Sequence, residues 1–430
     1  QDNRSANKFS KGRSKPDPKP PGRKPGQGRF ERRQPAEPRP GDEVRDMDAP
    51  LDCSTCEGCG TALEISTETP TTVDIPEVPK RLILRWSRQI GVCPGCGKRH
   101  LGQHPELPAN QTGATLHRVG ENALATAHWM HYHIGMSQRR SATVLAQLTG
   151  VEVTQSALVQ DANRHCQPEG PITNCCDQLL VEARGEKALH TDDTGWAIGV
   201  TLAFVMGFFS PITKLFFITL KHRSDEVLAI LTEAFIGVLI TDRGSSYDAK
   251  KLDWIRFQKC LAHLLRNISE ALEGKTGAAK KFLEELRDIL KESIRSWNEY
   301  HAGGLTREEL RQKAEETDAK LKEHLRQRRL RDPDAARILE GIGTRHDNGQ
   351  LTLFLHEPDT VPPTNNMAER DLRSIIILRK NSQCSKNGKG ADTLAKMVSV
   401  FATIKARNLD VLSAYKTILR TGRMPEPKAI

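Results

Sequence analysis

No hydrophobic run in this 430-residue sequence is long enough to cross a membrane as a helix. The longest nearly apolar stretch extends from Thr201 to Phe209, whereas a transmembrane helix needs ~20 residues. The N-terminal residues are polar and basic and lack the apolar segment of a secretory signal peptide. We therefore expect a cytoplasmic protein with no membrane partner, and its length indicates several domains.

The sequence also lacks a cysteine spacing that is typical of a disulfide framework, although it contains ten cysteines. Four of them form two Cys-x-x-Cys-Gly pairs, in which the glycine permits a tight turn around a bound ion. We predict a structural zinc ribbon over residues 51–108, with redox or free-thiol pairs as the alternative. Cys53, His100 and His104 are further possible ligands. The predicted zinc ligands are Cys56, Cys59, Cys93 and Cys96.

The positive charge is concentrated at the N-terminus. Of a formal net charge of +10, residues 1–40 supply twelve Lys or Arg against four Asp or Glu. Proline and glycine leave no periodic apolar face in residues 1–50, which predicts a disordered arm. Basic residues such as Arg23 and Lys24 would neutralise DNA phosphates and release their counterions. A merely solubilising tail is the alternative interpretation.

Residues 109–180 have a helical pattern, and we interpret them as a DNA-binding domain. Ser137 is expected to cap one helix, Gly150 to end it, and Thr154 to begin the next. This is the pattern of a helix-turn-helix, although many helical hairpins that bind nothing share it. The histidines of residues 128–133 would lie on several faces of one helix, so we interpret them as surface and interface residues.

The remaining sequence predicts a mixed α/β sheet with helices packed on it, interrupted by a helical insertion. Residues 181–266 form the first part of this core, and 351–430 complete it with helices, the last at 391–406. The insertion, residues 267–350, is highly charged and has a narrow apolar stripe. It would serve dimerisation or DNA contact, or form a solvated helical hairpin, which is the favoured interpretation. The expected strands are 188–191, 202–209, 215–220, 238–241 and 255–260.

Acidic residues occur at the ends of two expected strands and on one late helix. Asp192 and Asp193 follow the first strand, and Asp242 follows a buried strand, at the end where open α/β sheets bind ligands. Glu369 lies on the late helix, where Glu and Arg at this spacing would also suit a surface ion-paired helix. The residues that share its face are Asn366, Arg370 and Arg373.

Carboxylates gathered from separate segments have a chemical rationale. A carboxylate inside a strand must be paired, hydrogen-bonded or bound to a metal. Cleavage of a phosphodiester by two metals uses carboxylates to hold the ions ~3.5–4 Å apart, and Mg²⁺ and Mn²⁺ prefer such oxygen ligands. We hypothesise that one acid of the Asp192–Asp193 pair joins Asp242 and Glu369 in holding divalent ions for chemistry on DNA.

Four segments carry the motifs His190-Thr191-Asp192-Asp193-Thr194-Gly195-Trp196, Thr241-Asp242-Arg243-Gly244 leading to Tyr247-Asp248, Cys260-Leu261-Ala262-His263-Leu264-Leu265-Arg266, and Asn365-Asn366-Met367-Ala368-Glu369-Arg370 followed by Arg379-Lys380-Asn381. In this order, they resemble the transposases of the insertion sequence 66 family. The resemblance covers nearly the whole chain, including the basic arm and the predicted zinc ribbon. The sequence departs from the family where Asp193 replaces a usual Glu and Leu261 a usual Trp, and where tryptophans expected after Trp196 are missing.

The resemblance implies an RNase H-like catalytic core and a DDE-type transposase. It selects Asp192, with Asp242 and Glu369, as the ligands of two Mg²⁺ or Mn²⁺ ions. Strand alternation sends Asp193 to the opposite face, where it becomes a neighbouring or capping acid near Thr194. The residues expected to support the site or contact nearby phosphates are His263, Arg266, Asn366, Arg370, Arg373, Arg379 and Lys380.

By this resemblance, the protein nicks transposon-end DNA with an activated water and joins the freed 3′-hydroxyl to target DNA. The expected partners are double-stranded DNA, further copies of the chain and small companion proteins from the same element, in the nucleoid. A DNA-binding protein that no longer cuts is one alternative, and an RNase H-like nuclease that cleaves without joining is another. The intact acids favour the transposase.

Overall fold

The computed structural model describes residues 54–55, 58–62, 81–85, 87–102, 119–242, 244–326 and 330–428, together with residues 38, 44 and 46. The chain divides into two compact units, residues 1–78 and 79–430. In the first unit, Thr55 and Ala62 form an antiparallel bridge on either side of Cys59. Every element described below belongs to the second unit.

The second unit begins with a small antiparallel hairpin around a Cys-x-x-Cys pair. Strands β1 (Ile90–Val92) and β2 (Arg99–Leu101) flank a turn in which the Gly97 N–H donates to the Cys93 carbonyl oxygen at 2.9 Å. Gly97 has a φ of +72°, a left-handed conformation that glycine adopts without strain. The tight turn expected at this pair is therefore present. The zinc ribbon stays a prediction, because Cys56 lies outside the described residues, as do Arg23 and Lys24 of the basic arm.

Helix, glycine turn and helix follow as the sequence predicts. The Ser137 hydroxyl accepts a hydrogen bond from the Arg140 N–H, and the Thr154 hydroxyl accepts one from Ala157. Gly150, with a φ of +68°, ends the first of the two helices. Both caps are local interactions, which is why the sequence alone locates these helix ends. The first four helices are α1 (Glu121–Tyr132), α2 (Gln138–Thr149), α3 (Gln155–His165) and α4 (Pro171–Arg184).

The expectation that the histidines of residues 128–133 are surface and interface residues is wrong for two of them. His128 is fully buried and forms an ion pair with Asp161 of α3, with 3.0 Å between Nε2 and Oδ2. His131 is also buried, and its Nδ1 hydrogen-bonds to the Met136 carbonyl oxygen. Both rings contact Tyr132, so this face of α1 packs into the core rather than facing solvent.

Burial of His131 predicts a loss of stability in acid. The pKa of His131 is lowered to about 4, mainly by burial. The hydrogen bond to Met136 raises this pKa, and the charge of His128 lowers it. The unfolded chain therefore takes up the proton more readily, and stability is lost as pH falls from about 6.5 towards 4. We expect His131 to account for roughly 2 kcal/mol of lost stability between pH 7.5 and 5 by this linkage.

Urea unfolding at the two pH values measures the effect. His131→Asn keeps an N–H donor without the titration, and should reduce the pH difference by that amount. His301→Asn, at an exposed histidine outside the predicted metal sites, serves as the matched control. An unchanged pH difference in His131→Asn would contradict the assignment.

Five strands form one mixed sheet in the order β5-β4-β3-β6-β7. Strand β3 is antiparallel to β4 and parallel to β6, and β6 is parallel to β7. The expected mixed sheet is confirmed, but the first strand extends to Ile198 instead of ending at Thr191, because β4 pairs with it along this whole length. The elements are β3 (Ala188–Ile198), β4 (Thr201–Phe209), β5 (Lys214–Thr219), α5 (Ser224–Leu231), β6 (Val238–Thr241) and β7 (Arg256–Lys259).

The helical insertion has a hydrophobic core of its own. Phe282, Leu286, Leu321 and Ile342 are buried together, and the cluster continues into Val238 of β6. The interpretation of this segment as a solvated hairpin is therefore wrong, because the apolar faces of its helices pack against one another and against the sheet. The helices are α6 (Leu261–Leu272), α7 (Gly277–His301), α8 (Arg307–Arg326), α9 (Pro333–Asp347) and α10 (Leu353–His356).

The C-terminal helices pack on the sheet, as the sequence predicts for the segment near residues 391–406. Hydroxyl groups of α12 complete the hydrogen bonding of the edge strand β5: Ser399 accepts from the Phe216 N–H at 2.9 Å and Thr403 from Lys214 at 3.0 Å. The helices are α11 (Asn366–Ser382), α12 (Gly388–Ala406) and α13 (Val411–Thr421), of which the sequence reasoning missed α13.

Gly207 of β4 leaves room for an aromatic ring beside Asp192. The two residues are directly paired across β3 and β4, and a Cβ at Gly207 would come within 2.1 Å of the Phe209 ring. We expect Gly207→Ala to cost about 1–3 kcal/mol of unfolding free energy, as overpacked cores do. Chemical denaturation measures this, with Gly388→Ala as the control because its added Cβ meets open space. Equal stability of the two variants would contradict this packing.

Candidate active site

Asp192, inside strand β3, lies next to Asp242, which follows the end of the parallel strand β6. The register aligns His190 with Ile240, and continuing it by two residues aligns Asp192 with Asp242. Asp242 follows the last residue of β6, as the sequence predicts. Both acids are half-buried.

Backbone N–H groups orient both carboxylates. The Asp193 N–H donates to Asp192 Oδ1 at 2.9 Å, and the Gly244 N–H donates to Asp242 Oδ1 at 2.8 Å. In each carboxylate, the Oδ1 atom is held by a backbone N–H group that lies one or two residues later in the chain. These hydrogen bonds fix the orientation of both carboxylates.

Asn365 anchors the helix that carries the third acid to strand β3. Its side chain is fully buried; Nδ2 donates to the Thr191 carbonyl oxygen at 2.8 Å, and Oδ1 accepts from His190 Nδ1 at 3.0 Å. Asn365 occupies the N-cap position of α11, but its side chain makes no capping bond. It instead joins the start of α11 to the two residues that precede Asp192.

Glu369 lies in the first turn of α11 and reaches the same region. The pKa of Asp192 is raised to about 7, mainly by burial. The hydrogen bond from the Asp193 N–H lowers this pKa, whereas the negative charges of Asp242, Asp193 and Glu369 raise it. The geometry agrees, since a carboxylate oxygen of Glu369 lies within 4.8 Å of Cys260 Sγ and the Cys260 N–H donates to the carbonyl oxygen of Thr241, the residue before Asp242. The structure thus brings together the three acids that the sequence singles out.

The donor set fits a hard divalent cation. Three carboxylates share one partly buried region, and Glu369 Oε1 is buried without a hydrogen-bond partner in the described part of the chain. Carboxylate oxygens are the ligands that Mg²⁺ and Mn²⁺ prefer. Burial is the main cause of the raised pKa of Asp192, repulsion from the neighbouring carboxylates adds to it, and a bound cation would offset both. Their roles as metal ligands remain predictions.

Asp193 has a partner of its own. Its Oδ2 lies 3.3 Å from His222 Nδ1, and the His222 ring stacks on Phe204 with 4.0 Å between centroids. Of the two expected roles, a neighbouring or a capping acid near Thr194, this contact fits the neighbouring one. Asp193 therefore contacts a residue that follows β5 in the chain. The charge of Glu369, in contrast, raises the pKa of Asp192.

The residues expected to support the site fall into two groups. His263 is at the site, with Nε2 3.6 Å from Glu369 Oε1. Arg379 contacts β3, because Nη1 donates to the Thr194 hydroxyl at 3.0 Å and to the Gly195 carbonyl oxygen. The remaining residues have exposed side chains on α6 and α11, and their contact with phosphates stays a prediction. They are Arg266, Asn366, Arg370, Arg373 and Lys380.

The chain belongs to the IS66 transposase family. The family model described as "Transposase IS66 family" matches residues 117–393, which include all three acids and the helical insertion. This confirms the resemblance identified from the four motifs and establishes the protein as a transposase by family.

Two further similarities were found. A protein of Sinorhizobium fredii (strain NBRC 101917 / NGR234) named "Uncharacterized protein y4hP" is 23% identical over 413 residues, covering 89% of this chain and 73% of that protein. The "Drosophila P element transposase strand transfer complex" matches with a TM-score of 0.35 at 11% identity, covering 71% of this chain and 97% of that one. A structural similarity this low does not establish a common fold. Among the described residues, none of the helices has the length and apolar character of a membrane span.

Proposed function

We propose that the protein is a DDE-type DNA transposase that cuts transposon-end DNA and joins the freed 3′-hydroxyl to target DNA. The observation that carries this proposal is the convergence of Asp192, Asp242 and Glu369 from two strands and one helix. Family membership supports the class of activity. The two-metal chemistry and the residue roles are our inference.

The three carboxylates would hold two Mg²⁺ or Mn²⁺ ions, which supply activation of the attacking oxygen and neutralisation of the leaving oxygen. Asn365 positions Glu369 relative to β3, and the N–H groups of Asp193 and Gly244 fix the other two carboxylates. The expected role of this framework is to align attacking and leaving oxygens without rearrangement, since such preorganisation supplies much of a catalytic effect.

Helices α2 and α3 are the proposed DNA-binding surface beside the catalytic core. Leu145 and Leu158 pack them together, while the polar side chains of Gln155 and Gln160 on α3 and Arg139 at the start of α2 are exposed. Exposed amide groups on the second helix and a guanidinium group at the start of the first suit contacts with base edges and phosphates. The zinc ribbon and the basic arm would add sequence-independent affinity, and copies of the chain would assemble on DNA.

The test uses the full chain, Mg²⁺, labelled duplexes carrying the terminal sequence of its own element, and supercoiled target DNA. We expect Mg²⁺-dependent nicks at the element end and joined products in which the labelled strand is covalently linked to the target. Binding without nicking would indicate a DNA-binding protein that no longer cuts. Nicking without joined products would indicate a nuclease.

A further inference from the structure

Cys260 lies beside the proposed active site and has no part in the function proposed above. It is the residue between β7 and α6, and its N–H donates to the carbonyl oxygen of Thr241, the residue before Asp242, at 2.8 Å. Its thiol is fully buried and accepts a hydrogen bond from the Asn365 N–H at 3.1 Å. The sulfur is thus fixed between the segments that carry the second and third acids.

Two other metal-ligating side chains meet this sulfur. His263 lies one turn along α6, and Glu369 approaches from α11, so that one ligand atom from each of the three residues lies within 4.8 Å of the others. His263 Nε2 and Glu369 Oε1 are 3.6 Å apart, and that carboxylate oxygen is buried without a hydrogen-bond partner in the described part of the chain. These residues come from two different helices, so their approach is a tertiary feature of the fold.

The combination of donors selects a class of cation. Mg²⁺, Mn²⁺ and Ca²⁺ favour oxygen, whereas one sulfur, one imidazole nitrogen and one carboxylate oxygen suit Zn²⁺ and cations of similar softness. Three protein ligands leave the fourth tetrahedral position open. Ligand atoms around such an ion are roughly 3.5 Å apart, so the side chains must close slightly. His263 and Glu369 are about a third exposed, which permits that adjustment and gives the ion a path from solvent.

We propose that Cys260, His263 and Glu369 form a binding site for Zn²⁺ or a cation of the same class, and that its occupation withdraws Glu369 from the Mg²⁺ site. Zinc would then inhibit strand cleavage by competing for this single carboxylate. The inhibitory consequence rests on the proposed function, whereas binding of the cation does not. A transposase built in this way would be restrained wherever free zinc rises.

Cobalt is the probe, because a thiolate bound to Co²⁺ gives a charge-transfer absorption band that carboxylate and imidazole ligands do not. Chelator-treated full-length wild type, Cys260→Ala, Cys260→Ser and Cys384→Ser are titrated with Co²⁺. The predicted ribbon cysteines contribute equally to all four proteins, so the difference between them isolates Cys260. Cys384, a half-buried cysteine of the loop after α11, is the matched control.

We expect wild type and Cys384→Ser to bind one more equivalent of Co²⁺ with the thiolate band than the Cys260 variants do. Loss of even a supporting residue weakens metal binding 10- to 100-fold, so loss of this ligand should weaken it at least ~100-fold. Cys260→Ser, which retains an acceptor for the Asn365 N–H, guards against a folding defect. Identical cobalt spectra in folded wild type and Cys260 variants would overturn the site.

The second measurement is strand cleavage at fixed Mg²⁺ with increasing Zn²⁺, each variant normalised to its own zinc-free activity. Zinc should inhibit wild type and Cys384→Ser, with inhibition relieved by added Mg²⁺, and the midpoint should rise at least ~100-fold in Cys260→Ser. If wild type binds cobalt through Cys260 but never cleaves DNA, the metal site stands and the proposed function fails. If it cleaves DNA and zinc inhibits all variants alike, the competition with Mg²⁺ is wrong while the proposed function stands.

Discussion

Asp192→Asn is expected to reduce Mg²⁺-dependent strand cleavage at least ~100-fold while DNA affinity remains within a few-fold of wild type. Replacing a residue that merely supports a metal ligand lowers affinity or activity 10- to 100-fold, so replacing a ligand should do at least as much. The amide keeps the size of the side chain and can still accept the hydrogen bond from Asp193. Loss of folding is therefore not the expected cause.

The adjacent acid supplies a matched control. Asp193→Asn removes the same charge one residue away, but its carboxylate pairs with His222. We expect Asp193→Asn to keep cleavage within ~10-fold of wild type, since its loss affects a neighbouring ion pair rather than a metal ligand. Cleavage assays and electrophoretic binding assays on the two variants separate the roles. Equal losses of cleavage, or undiminished cleavage in Asp192→Asn, would contradict the assignment.

Asp371→Ala is expected to cost about 3–5 kcal/mol of unfolding free energy. Asp371 Oδ2 on α11 lies 2.6 Å from Lys214 Nζ, and the lysine is buried. Removing one partner leaves an uncompensated buried charge, which destabilises by roughly that amount. Burial already lowers the pKa of Lys214, against the effect of Asp371. This pair joins β5 to the helix that carries Glu369.

A double variant tests whether the lost stability comes from the unpaired charge of buried Lys214. Lys214→Met with Asp371→Leu should return to within ~1 kcal/mol of wild type, because apolar replacement of a buried pair is often neutral or stabilising. Asp392→Ala breaks an exposed pair with Lys396 and should cost at most ~1 kcal/mol. Urea unfolding measures all three variants. A double variant as unstable as Asp371→Ala would contradict the explanation.

The sequence predicts best the features that depend on neighbouring residues. Ser137 and Thr154 cap their helices as expected, because capping involves residues three apart. The end of β6 at Asp242 is likewise marked by a short apolar run. Strand β3 continues past Asp192 because β4 provides a partner, and that long-range pairing overrides the polar side chains.

Features that depend on distant residues were missed or misinterpreted. The apolar stripe of the insertion predicts a solvated hairpin, because nothing local shows that Phe282 of α7 and Ile342 of α9 belong to one buried core. No local pattern marks the role of Asn365, because its side-chain partners lie about 175 residues earlier in the chain. The approach of Cys260 to Glu369 likewise needs the fold. The choice between Asp192 and Asp193 came from the family resemblance, and the contacts of Asp193 with His222 are consistent with it.

The central claim is that Asp192, Asp242 and Glu369 together bind the divalent ions that act on DNA. The most direct measurement is anomalous diffraction from crystals of the protein with Mn²⁺ and its element-end DNA. We expect two manganese peaks between these carboxylates, with a phosphate of the end DNA against them, and loss of both peaks in Asp192→Asn. Manganese bound elsewhere, or peaks that do not involve Asp242 and Glu369, would contradict the account.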